Sequence, residues 1–105
     1  MPERREHPRR GIKLRILVAV GKVILQGRAE DISAGGASLR LDEVLPEGTR
    51  IAVRFLTPHL EKFKWIDVTA TVQYVILTSG NPAYRTGVKI VGADAEARSR
   101  LETLI

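Results

Sequence analysis

A chain of 105 residues is long enough for one domain with a modest core, and 44% hydrophobic and 28% charged residues make it too apolar for disorder. The absence of cysteine excludes disulfides, thiol catalysis and cysteine-ligated zinc, and fits a reducing cytoplasm. No apolar run is long enough to cross a bilayer, so no membrane insertion is expected, and the N-terminus is too charged for a signal peptide. The formal charge of +5 is unevenly spread: residues 1–15 hold six basic side chains against two acidic ones, and residues 16–105 hold eleven against ten. A local surplus of this kind points to an anionic partner at one end rather than to a broad electrostatic footprint.

That surplus begins with Arg4-Arg5-Glu6-His7-Pro8-Arg9-Arg10. Pro8 lacks a backbone donor and holds His7 extended or in a turn, so residues 1–10 are expected as a mobile cationic arm without helix. Residues 12–20 alternate, with Ile12, Leu14, Ile16, Val18 and Val20 on one face, and predict the first strand. Gly21-Lys22 is a two-residue turn, and residues 23–32 return as the second strand. Ser33-Ala34-Gly35-Gly36 reads as a tight loop or bulge, after which Ala37, Leu39 and Leu41 mark a third strand. Ile51, Val53 and Phe55 mark a fourth strand, ended by Thr57-Pro58 and a charged loop to Lys64. Residues 65–78 predict a long fifth strand with Val68, Ala70, Val72, Tyr74 and Ile76 sharing a face. Tyr84, Thr86, Val88 and Ile90 predict a sixth. Only the end looks helical, with Asp94 as N-cap and Ala97, Leu101, Leu104 and Ile105 on one stripe. The expected fold is all-β: a six-stranded antiparallel barrel over 12–91, with one short C-terminal helix over 94–105, in a single domain.

Catalysis has little material. His59 reads as a solvated loop histidine, and a triad of Ser33, Asp31 and His59 fails because Asp31 and Ser33, two apart on a strand-like segment, point the same way toward one ligand. Glu30-Asp31 has no third metal ligand at suitable spacing, and no phosphate-binding loop is present. The chain is therefore expected to be no enzyme, with no metal and no cofactor. Taken alone, the arginine run is a solvated tail or a non-specific grip on nucleic acid, and Gly35-Gly36 is a bulge before a strand.

Taken together the two stretches say more. Arg4-Arg5-x-x-x-Arg9, followed after one hairpin by Asp31-x-Ser33-x-x-Gly36, resembles the PilZ domain family of bacterial cyclic di-GMP receptors, whose two signatures occur in this order. Ala37 and Leu39 after the glycines, and Tyr84-Arg85-Thr86-Gly87-Val88 in the last strand, are similar to the family as well. The resemblance runs from Arg4 to about residue 91. Arg10 is an additional arginine beside the first signature.

The resemblance implies a ligand site with a role for each residue. Arg4, Arg5 and Arg9 would meet phosphates and the guanine acceptor edge. Asp31 would accept from the guanine N1–H and exocyclic amine, Ser33 would add a hydroxyl, and Gly36 would allow close approach. Arg10 and Gly35 are further candidates. Tyr74 is read either as a base-packing aromatic or as a core or cross-strand tyrosine; Trp65 is read as structural. The implied function is a cytoplasmic receptor in which cyclic di-GMP orders the arm and changes a surface for a downstream protein. Two other readings stand beside it: a small nucleic-acid-binding barrel, weakened by the near-neutral body and by only 5% aromatic residues, and a PilZ-like adaptor that binds protein but no nucleotide.

Overall fold

The computed structural model describes residues 10–105. Six strands follow in chain order: β1 (Arg10–Val20), β2 (Val23–Ile32), β3 (Gly36–Leu41), β4 (Arg50–Leu56), β5 (Trp65–Leu77) and β6 (Tyr84–Gly92). Among the described residues one helix, α1 (Ala95–Leu104), follows β6. All strand pairs are antiparallel, and they close into a barrel in the order β1-β2-β3-β6-β5-β4. The expected fold class is thus the observed one. β1 starts two residues before the predicted strand, because Arg10 already pairs with Ile32 and Gly11 with Asp31.

Period-two alternation decides what fills the interior. Leu14, Ile16 and Val18 of β1, Ile51, Val53 and Phe55 of β4, and Ile66, Val68, Ala70 and Val72 of β5 are all buried in one cluster. β3 is the most enclosed strand: of its six residues only Arg40 is more than marginally accessible. Gly21 takes a φ of 58° in the β1–β2 turn, a left-handed conformation that glycine adopts without strain.

In β5 the alternation does not survive to the end. The register against β6 shifts between Val72 and Tyr74. One extra residue, Gln73, reverses the pleat, so Tyr74 and Ile76 face outward at 41% and 48% exposure and Val75 packs inward instead. The expectation that Val68 through Ile76 share one face therefore holds only as far as Val72.

Helix α1 forms as its caps predict. Asp94 Oδ1 accepts the Ala97 N–H at 2.7 Å, and Glu96 lies in the first turn, where the helix dipole favours an acid. Ten residues are too few for a stable isolated helix, so packing sustains it. Ala97, Leu101 and Leu104 join the barrel core, and Arg100 donates to the Trp65 carbonyl at 2.7 Å while pairing with Glu96. Trp65 has the structural role expected of it, with the Arg54 and Arg100 guanidiniums 5.1 and 5.8 Å from its ring centroid. Among the described residues no helix is long and apolar enough to cross a membrane.

Candidate functional site

The loop between β2 and β3 is held by its own serine. Ser33 N–H donates to the Gly36 carbonyl at 2.8 Å. The Ser33 hydroxyl accepts from the Gly36 and Gly35 N–H groups at 3.1 and 3.3 Å, and donates to the Gly36 carbonyl at 3.3 Å. The Gly35 carbonyl accepts from Ile90 N–H at 3.0 Å, which pins the loop to β6. Ser33 is only 3% exposed. Asp31 and Ser33 thus do not point the same way: β2 ends at Ile32, and Ser33 has left the pleat. Neither Gly35 nor Gly36 has a positive φ, so the need for glycine there is not a left-handed turn.

Asp31 owes its direction to a bulge. Ala29 pairs with Leu39 and Asp31 with Ser38, so Glu30 is an extra residue opposite one rung of β3. Ala29 and Ile32 are fully buried, which turns both intervening carboxylates to the outside of the barrel. The rung continues across the sheet as Asp31, Ser38, Gly87 and Tyr74. Ser38 and Gly87 make a floor without long side chains. The Tyr74 ring lies on Gly87 so closely that a Cβ at that glycine would fall 2.0 Å from Cε2. Tyr74 is therefore a cross-strand tyrosine in its contacts, and its outer face remains open to a flat partner. Lys89, exposed on β6, stands one outward position beyond Gly87 and pairs with Gly36.

The neighbouring rung of the same face is basic. Arg28, Arg40, Arg85 and Ile76 lie side by side on β2, β3, β6 and β5. Like charges opposite one another repel, and Glu30 offsets part of this. Its Oε1 accepts from Arg40 Nε at 2.8 Å and lies 3.6 Å from Arg85 Nε. The Arg40 hydrogen bond, helped by the charges of Arg40, Arg85 and Arg28 against the opposing effect of burial, holds the Glu30 carboxyl below its ordinary range. Arg40 also donates to the Thr78 hydroxyl and, at 3.2 Å, to the Pro82 carbonyl, so it ties the β2 bulge to the β5–β6 turn.

Of the residues singled out by sequence, Asp31, Ser33, Gly35, Gly36 and Tyr74 gather at one end of this face. Arg4, Arg5 and Arg9 lie outside the described residues, and Arg10 is described only as backbone. That backbone starts β1 beside Ile32, so the arm is attached next to the loop. The triad is not assembled, because the Ser33 hydroxyl is bound within its loop and His59 is exposed in the segment after β4. No group of three acidic, histidine or cysteine residues suited to a metal exists among the described residues. Sequence reasoning missed Glu30, Arg40, Arg85 and Lys89 as neighbours of the site. Alternation did mark Arg40 and Arg85 as outward-facing, but only strand register sets them side by side.

The PilZ domain profile matches residues 3–105. The chain belongs to the PilZ domain family. Solved structures share the fold of this PilZ domain at low identity. The Bacillus subtilis inhibitor of motility MotI/DgrA superposes with a TM-score of 0.83 at 17% identity, over 98% of this chain and 50% of that one. The PilZ domain of YcgR from Escherichia coli, solved with c-di-GMP, gives 0.77 at 17% identity, covering 98% and 89%. The K. pneumonia MrkH–c-di-GMP complex gives 0.74 at 17% identity, covering 98% and 51%. The PilZ chain thus spans half the length of MotI/DgrA and of MrkH. Among curated protein sequences, none matches it.

Proposed function

We propose that this PilZ domain is a cyclic di-GMP receptor and not an enzyme, with Arg4, Arg5, Arg9, Asp31, Ser33 and Gly36 as its ligand residues and Arg10, Gly35 and Tyr74 as further contacts. The observation that carries the reading is the outer rung: a bulge turns Asp31 outward at one end, a half-exposed tyrosine stands at the other, and the floor between them is small. Family membership supports it, as do the complexes of YcgR and MrkH with this nucleotide. A carboxylate accepts from guanine N1–H and the exocyclic amine together, two donors that adenine does not present. Tyr74 offers a ring face for a base. Ser33 contributes chiefly by shaping the loop, since its hydroxyl already serves three backbone groups. The arginines of the arm take the phosphates and close over the ligand from the start of β1.

Closure is the switch. Ordering the arm costs roughly 1–2 kcal/mol per residue fixed, which several charge-assisted bonds to two phosphates offset together. The closed arm then alters the surface offered to a downstream protein in the cytoplasm. Titration calorimetry tests the reading. Cyclic di-GMP should bind with a defined stoichiometry, and cyclic di-AMP more than tenfold more weakly, because losing hydrogen bonds to a charged acceptor costs on the order of 1.5–3 kcal/mol. Equal affinity for the two nucleotides would defeat it, and tight binding of random oligonucleotides would favour a nucleic-acid-binding barrel.

A further inference from the structure

We infer that Arg85 is an additional phosphate-binding residue of this site and that Glu30 restrains it, so that Glu30 sets the receptor's affinity from within. The inference rests on the cyclic di-GMP reading and extends it to residues outside both sequence signatures.

The three arginines of the basic rung are not equivalent. Arg40 is committed to the fold: its side chain is 11% exposed and its donors serve Glu30, Thr78 and Pro82. Arg28 lies on the β2 side, below the bulge and away from Tyr74. Arg85 is different on each count. Its side chain is 44% exposed, and its contact with Glu30 at 3.6 Å is an attraction between charges, too long for a hydrogen bond. Among the described residues it makes no hydrogen bond, so its fork of donors is not committed to the barrel as that of Arg40 is.

Position then gives those donors a target. Arg85 is one outward position from Gly87 along β6, about 6.6 Å, and Gly87 carries the Tyr74 ring. A base lying on the open face of Tyr74 brings its sugar and phosphate to the rim of that ring. Arg85 presents an exposed guanidinium at this rim. A phosphodiester there has the planar oxygen pair that a guanidinium matches with two parallel bonds.

Glu30 competes for the same cation. Its carboxylate sits between Arg40 and Arg85 in the free protein, and it adjoins Asp31 in the bulge. When a phosphate takes Arg85, Glu30 keeps Arg40 and loses part of its second partner. It also repels the incoming phosphate. Removing its charge therefore favours the ligand twice, by freeing Arg85 and by removing an anion. The usual expectation for an acidic residue beside Asp31 would be the reverse, that its loss weakens binding.

The test is calorimetry of the full chain with cyclic di-GMP, at low and at moderate salt, on four proteins: wild type, Arg85→Gln, Glu30→Gln and the double variant. Glutamine at position 30 retains an oxygen for Arg40, and thermal melts of all four without ligand establish that each is folded. Arg85→Gln should weaken binding by about tenfold and reduce its salt dependence. Glu30→Gln should tighten binding several-fold. In the Arg85→Gln background that gain should fall to the smaller part owed to charge repulsion alone. Wild-type binding with Arg85→Gln unaffected would overturn the phosphate contact, and weaker binding in Glu30→Gln would overturn the restraint. No binding by folded wild type would instead defeat the cyclic di-GMP reading, and this inference with it.

Discussion

Gly87 and Tyr74 should be energetically coupled, and a double-mutant cycle can measure the coupling. In Gly87→Ala the new methyl would lie 2.0–2.6 Å from three atoms of the Tyr74 ring, so the two cannot coexist as they stand. The ring belongs to a half-exposed side chain and can swing into solvent. A tyrosine that is 41% exposed covers roughly 100 Å² of its surface, and lifting the ring off its shelf would expose about half of that. At about 25 cal/mol per Å² the loss is about 1 kcal/mol. With Tyr74→Ala already in place there is no ring to displace. Gly87→Ala should then stabilise by about 0.5 kcal/mol, because glycine inside a strand is the poorer residue. Urea denaturation of wild type, both single variants and the double variant gives the four stabilities, and the coupling should exceed about 1 kcal/mol. Gly27 supplies the contrast. A Cβ there would meet the Arg40 carbonyl oxygen at 2.3 Å and Leu41 Cδ2 at 2.7 Å, and a backbone carbonyl cannot swing away. Gly27→Ala should cost about 3 kcal/mol, the upper end of the overpacking range. Equal effects of Gly87→Ala in the two Tyr74 backgrounds would refute the reasoning, whatever their size.

Three further outcomes are expected. Thr86 is fully buried and its hydroxyl is the single buried side-chain polar atom without a partner among the described residues, so Thr86→Val, nearly isosteric, should stabilise by about 1 kcal/mol in urea titrations. Glu30 has a lowered pKa, so its ionised form stabilises the fold above pH 4.5 and that contribution disappears as pH falls through the folded-state value. The stability gap between wild type and Glu30→Gln, on the order of 1 kcal/mol for a partly exposed pair, should be present at pH 7 and close in acid; a gap unchanged at pH 3 would contradict it. Arg5→Ala or Arg9→Ala should abolish or greatly weaken cyclic di-GMP binding with little change in the melting temperature of the free protein, whereas Leu14→Ala, at a position 4% exposed, should cost about 2–5 kcal/mol; unfolding caused by either arginine change would make the arm a structural strap.

The parts of the fold that alternation encodes were legible in the sequence. Ile51, Val53 and Phe55 announce β4 without ambiguity, and Asp94 announces the helix. What could not be read were the places where the count of residues slips. Nothing about Gln73 marks it as the residue that reverses β5, yet that slip turns outward onto Gly87 the tyrosine that the resemblance had already named as a possible base contact, Tyr74. The same holds for Glu30, whose insertion opposite Ser38 aims Asp31. The second signature names Asp31 and Ser33 as a pair, but their tasks differ: one faces out, the other ties the loop. The Glu30–Arg40–Arg85 group joins the consecutive strands β2 and β3 to the distant β6, and only the pairing register reveals it.

The order in which the strands occur along the chain has a consequence for how the molecule reaches its native state. β3 follows β2 directly, yet its other neighbour is β6, the last strand made, and the Gly35 carbonyl is held from Ile90. During synthesis the loop that bears the signature therefore emerges early and waits, with one edge unsupported, until residues 84–92 have appeared. Such non-local pairings carry a loop-closure cost before they are rewarded, and they slow folding. The β2–β3 loop is thus among the last parts of this barrel to gain its full support in a nascent chain, and a chain interrupted before β6 would display the motif without the support that shapes it.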